Sequence, residues 1–117
     1  MRTRQQEWAQ DAYRRVARRA REPGADRYKD MALRFPVLVR QAGLAQALAF
    51  VQSRGEEAHR ALAEDLAQTL GYGGLGILLE AAQEAELLRY LRLTREVLLV
   101  AEWYKRFAQA LVEEAHG

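Results

Sequence analysis

The tetrapeptide Glu-Glu-Ala-His occurs at 56 to 59 and again at 113 to 116, which yields two Glu-x-x-His pairs, Glu56 with His59 and Glu113 with His116. Residues i and i+3 of a helix project toward one point, and di-iron helical bundles use that spacing, adding one Glu from each of two further helices. Glu64, Glu80 or Glu86 would supply those extra ligands. Two positions argue against a di-iron enzyme: His116 is the second-last residue, where helices fray, and Glu56 falls at a helix start instead of in mid-bundle. Two solvated helix ends account for the repeat, and neither a metal nor another cofactor is expected. Nucleophile chemistry has little to work with either, because Cys is absent and only Ser53, three Thr and the two His remain. The expectation is that the chain is not an enzyme, with no catalytic residue to nominate.

Gly71-Tyr72-Gly73-Gly74-Leu75-Gly76 satisfies GxGxxG, whose glycines let a backbone approach a pyrophosphate at a helix N-terminus. That motif requires a strand before the turn and a βαβ unit around it, whereas residues 63 to 70 read as helix. A loop between helices is the expectation there. The run Arg14-Arg15-Val16-Ala17-Arg18-Arg19-Ala20-Arg21 is the third signal. At 100° per residue Arg14, Arg18 and Arg21 line one stripe and Arg15 and Arg19 the adjoining one, opposite a face of Ala9, Tyr13, Val16 and Ala20. Such a strip neutralises phosphates of a nucleic-acid backbone, and Trp8 at its border would stack on a base or an Arg plane. The plain alternative is a solvated helix face with Asp11 and Glu22 as ion-pair partners.

The elements that place these residues all read as helices. Gly and Pro punctuate the chain at Pro23-Gly24, Pro36, Gly43, Gly55 and the 71 to 76 cluster, and the segments between are rich in Ala, Leu, Arg, Glu and Gln. Thr3 and Gln6 have capping-box spacing ahead of a helix over about 4 to 21. A second runs over 26 to 42, with a kink or break at Pro36. Shorter helices follow over 44 to 53 and about 56 to 70, and a Leu-rich stretch over 75 to 93. Thr94 then caps a last helix whose broad apolar arc makes it the core's spine. No segment alternates with period two, so the fold class is all-α, a single compact bundle of five or six helices over 1–117.

A chain of 117 residues with no linker suits one domain that needs no disulfide. The lack of Cys points to a reducing, cytoplasmic setting, and no apolar run exceeds five residues, which excludes a spanning helix. Net charge is +2, but residues 1 to 30 hold nine basic and five acidic side chains, so positive charge gathers at the start.

The block from Phe35 to Phe50, FPVLVRQAGLAQALAF, followed by Gln52-Ser53-Arg54, resembles the central signature of the small subunit of type III-B CRISPR effector complexes, the Cmr module. Leu91-Arg92-Leu93-Thr94-Arg95-Glu96, and then Trp103-Tyr104-Lys105-Arg106-Phe107-Ala108, is similar to that family's C-terminal helix. With an Arg-rich opening helix containing Gln5, Trp8 and Ala9, the resemblance spans most of the chain. The resemblance implies a non-catalytic helical subunit present in several copies along a crRNA-target duplex. Its implied partners are the backbone subunit, the large signature subunit and copies of itself in an RNA-targeting ribonucleoprotein for antiviral defence. Arg14, Arg15, Arg18 and Arg19 are then the expected phosphate contacts. Lys105 and Arg106 lie off the apolar arc and form a second patch or a subunit interface, while Phe50, Trp103 and Phe107 are expected in the core. A helical adaptor that touches only protein is the competing expectation.

Overall fold

The computed structural model describes residues 1–113. Among them lie six helices and no strand: α1 (Arg4–Arg19), α2 (Ala25–Ala42), α3 (Leu44–Arg54), α4 (Glu57–Thr69), α5 (Leu75–Glu84) and α6 (Leu87–Leu111). The capping box forms at the start of α1, where the Thr3 hydroxyl accepts from the Gln6 backbone N–H at 3.1 Å and the Gln6 side chain accepts from the Thr3 N–H at 2.8 Å. The α6 helix lies along α1 and α2, α4 packs beneath α2, and α3 pairs with α5. The molecule measures 45 × 40 × 23 Å, and its short axis matches two helix diameters of about 10–12 Å, a two-layer stack. Phe35, Leu48, Leu62, Leu66, Leu78, Val97 and Tyr104 fill the space between the layers.

Three boundaries differ from the sequence expectation. Helix α2 continues through Pro36 without a break, because Met31, Ala32, Phe35, Pro36 and Val39 are all buried and this packing holds the helix against the proline's lost N–H. The chain instead breaks at Ala85 and Glu86, both extended, where no Gly or Pro stands. Leu78, Leu79 and Ala82 face α3 and α4, whereas Leu93, Val97 and Val100 face α1 and α2, and one straight rod cannot serve both sides. Helix α6 therefore starts seven residues before Thr94, which lies inside the helix with its hydroxyl buried and unpaired instead of capping it. Gly43 makes the sharp turn from α2 to α3 at φ 89° and ψ 155°, a conformation essentially reserved for glycine, and the Tyr90 hydroxyl beside it accepts the Ala45 N–H at 3.1 Å.

Candidate nucleic-acid interface

Beneath the basic strip lies a network of polar groups that fastens α1 to the rest of the bundle. Asp65 on α4 is almost fully buried and accepts from Arg19 through both oxygens, at 2.9 Å from Nε and 3.0 Å from Nη2, and from the Tyr28 hydroxyl at 2.8 Å. The paired fork geometry is the strongest form an Arg-carboxylate bond takes. Asp11 on α1 accepts from Arg15 Nε at 2.8 Å and from the Thr69 hydroxyl at 2.6 Å. Thr69 has one proton and donates it to this carboxylate, so the Tyr104 hydroxyl, 2.6 Å from Thr69 Oγ1, is the donor in that contact. The hydrogen bond and charge of Asp65 push the Arg19 pKa up, and burial pushes those of the Tyr28 and Tyr104 hydroxyls up. Both tyrosines stay protonated donors well into the alkaline range.

Burial raises the pKa of Asp11, but the Thr69 hydroxyl, Arg15 and Arg14 together outweigh it and hold the carboxyl below its ordinary value of 3.8. A depressed folded-state pKa means that this group's stabilisation is fully present above the unfolded value and is lost as pH falls through the folded one. Thermal melts between about pH 5 and pH 2 should therefore show a shallower loss of stability in Asp11→Asn than in the parent protein. An acid limb of unchanged slope would show that the network does not couple Asp11 to folding.

The geometry divides the arginine run in two. The Arg14 side chain is 69% exposed, touching Asp11 only at 3.4 Å, and Arg18 and Arg21 are exposed with no ion-pair partner among the described residues. Arg15 and Arg19 are 25% and 26% exposed, and their guanidinium groups point at Asp11 and Asp65. Their placement on an outward strip is thus corrected. The physical reason is the azimuth of the buried face, which is set by Trp8, Ala12 and Val16 and not by Ala9 and Tyr13. At 100° per residue that rotates the inner face by about 70° toward Arg15 and Arg19. Trp8 changes role with it: only 7% of it is exposed and the Arg4 guanidinium lies 4.5 Å over its ring, so it is a core residue and no stacking partner for a base.

At the other end of α6, Lys105 is half-buried and Arg106 exposed, the latter 5.8 Å over the Trp103 ring. Trp103 stacks on Phe107, and Phe107 meets Tyr13 of α1 edge to face. Trp103 and Phe107 are only partly buried, and Phe50, expected in the core, lies half-exposed on the outside of α3. The sequence reading missed both Tyr13 as a surface aromatic and Asp65 as the anchor. A signal for the latter existed, since Leu62, Asp65, Leu66 and Thr69 share one helical face.

The candidate metal ligands do not converge. Glu56 precedes α4 and pairs with Arg27, while Glu80 and Glu86 are exposed. Glu64 accepts the Leu75 backbone N–H at 2.8 Å. His59 is buried, not solvated as expected, with Nε2 lacking a hydrogen bond and lying 3.8 Å from Glu56 and 3.9 Å from Asp30. Among the described residues no three ligand groups could hold a metal ion, and His116 of the second pair lies outside them. In the glycine loop, Gly74 opens α5 with the Glu64 carboxylate against it, so the protein's own anion occupies the helix N-terminus that a phosphate would need.

Fold and surface together define a small all-α bundle with an internal polar clasp and a basic outer stripe on its first helix. The chain belongs to the CRISPR-associated protein (Cas_Cmr5) family, whose model matches residues 4–111. It is 69% identical to the CRISPR system Cmr subunit Cmr5 of Thermus thermophilus over 114 residues, 97% of this chain and 100% of that one. The crystal structure of a CRISPR-associated Cmr5 family protein from Thermus thermophilus superposes with a TM-score of 0.94 at 69% identity, covering 97% of this chain and 100% of the other. The resemblance read in the Phe35 to Phe50 block and in the C-terminal helix is thereby a family membership.

Proposed function

We propose that the chain is a non-catalytic small subunit of a type III-B CRISPR Cmr effector complex in the cytoplasm, packing in several copies along the crRNA-target duplex. There it contributes phosphate contacts that ignore sequence, because pairing with the guide does the reading. Arg14 and Arg18 are the proposed contacts on α1, and Lys105 and Arg106 form a second patch or meet a neighbouring subunit. Arg15 and Arg19 act from behind, as the residues that hold α1 in place. The observation that carries this reading is the exposure of Arg14 and Arg18 on α1, continued by Arg21 just past its end, while Arg4, Arg15 and Arg19 of the same helix are held by Glu96, Asp11 and Asp65. Its proposed protein neighbours are the backbone subunit, the large signature subunit and further copies of the chain.

Arg14→Ala with Arg18→Ala should leave folding intact and weaken RNA binding by the assembled complex, where neighbouring copies raise effective concentration. Each lost phosphate contact lowers the salt slope by about 0.7 on single strands, so two lost contacts lower it by about 1.4, with little dependence on RNA sequence. An unchanged slope in a complex that assembles normally would sink the phosphate role. A second reading, an adaptor that touches only protein, draws on the exposed leucines at the start of α6, Leu87, Leu88 and Leu91. It is the reading that an unchanged slope would leave standing.

A further inference from the structure

We infer that Tyr13, braced edge to face by Phe107, forms a stacking platform for one unpaired base of a bound nucleic-acid strand, placed beside the phosphate-contacting stripe of α1. Tyr13 is 48% exposed, an unusual position for a ring this large on a helix whose neighbours are charged. It meets Phe107 at 5.3 Å between ring centroids with the planes 88° apart. Such a T-shaped contact covers at most one face of either ring, so Tyr13 retains an open π face. Phe107 is held in turn by Trp103, stacked at 5.6 Å and 21°, so the platform is braced from α6 and does not depend on α1 alone.

The surroundings choose the occupant. Arg2, Tyr13, Arg14 and Phe107 line one shallow depression of about 500 Å³, and no carboxylate shares its wall. Arg106 lies over the far end of the aromatic row. An aromatic face flanked by cations suits a flat, electron-rich ring that carries an anion nearby, which is the description of a nucleotide with its phosphates. A double-stranded segment hides its base faces, so the occupant is an unpaired nucleotide. Every base has a π face, and the site is therefore indifferent to sequence, in keeping with the phosphate contacts next to it.

This inference rests on the phosphate-contact reading, and the test separates the two. The full chain is titrated at low ionic strength with two single strands of equal length and charge, an oligoadenylate and an abasic ribose-phosphate strand. The parent protein should bind the oligoadenylate about five-fold more tightly or better, the ratio expected for one stacked base. Tyr13→Leu keeps an apolar contact with Phe107 and should bring that ratio to about one while the abasic strand binds as before with the same salt slope. Tyr13→Trp should preserve the ratio. Arg14→Ala with Arg18→Ala should weaken both strands alike. Equal affinity of the parent protein for the two strands, an unchanged ratio in Tyr13→Leu, or failure to bind either strand overturns the platform, while the phosphate reading stands or falls separately on the salt slope of the assembled complex.

Discussion

Replacing Asp65 with Ala is expected to cost about 3–5 kcal/mol of folding stability, the range for removing one partner of a buried ion pair. The cost comes from what is left behind. Asp65 is 2% exposed, and its two oxygens satisfy two nitrogens of Arg19 and the Tyr28 hydroxyl. Without it the inner edge of a guanidinium that cannot lose its proton stands unpaired against a buried phenol, and only Glu22, 3.1 Å from Nη1 on the outer side, remains as a counter-charge. A domain of this size has about 5–15 kcal/mol in total, so the variant should melt far below the parent or fail to fold at ordinary temperature. Asp65→Ala combined with Arg19→Met should recover much of the loss, because the stranded charge leaves with its partner. Urea melts of the parent, both single variants and the double variant form the cycle that checks this. A loss under about 1 kcal/mol in Asp65→Ala would show that water reaches the site. The same reasoning predicts that removing Arg14, Arg15, Arg18 and Arg19 together unfolds the protein, whereas removing Arg14 and Arg18 does not.

Trp8→Ala is expected to be nearly as damaging, at about 3–5 kcal/mol, the usual cost of truncating a large buried aromatic. Its indole sits with Ala12 and Val16 on the inner face of α1, under the Arg4 guanidinium. Trp8→Phe should retain most of the packing and cost clearly less. Here stability separates two roles that sequence alone left in competition. A tryptophan that stacked on RNA would leave the melting temperature unchanged when removed and would lower affinity instead. If Trp8→Ala melts like the parent, the inner face of α1 has been misplaced and the outward set of arginines must be redrawn.

The helices are legible in the sequence because Ala, Leu, Arg and Glu segments separated by Gly and Pro leave few other options, and the family blocks are legible because they are contiguous. The phase of α1 is not. Ala9, Tyr13, Val16 and Ala20 read as an apolar face, yet Ala is indifferent to burial, and the larger residue Trp8 decides the azimuth together with Ala12. Pairing of Arg19 with Asp65 links residues 46 apart, and periodicity along one helix carries no information about such a partner. The break at Ala85 and Glu86 is invisible for a related reason, since it is imposed by which neighbours α5 and α6 pack against and by no local signal. Tyr13 reads as part of the apolar face because aromatic residues usually belong there. The few that stay outside are found only when their surroundings are known.

The polar clasp also fixes when each part of the chain can settle during synthesis. Helix α1 leaves the ribosome first, but the Thr69 hydroxyl that meets Asp11 lies 58 residues later, Asp65 lies 46 residues after Arg19, and Thr69 in turn accepts from Tyr104, a further 35 residues on. Until the middle of α6 has emerged, Trp8, Ala12 and Val16 have no complete surface to bury against, and their side of α1 faces water. The segment made earliest is therefore the one docked latest. A nascent chain halted before Tyr104 should show α1 amides exchanging as fast as those of an isolated peptide, and the protection should appear in one step as α6 is completed.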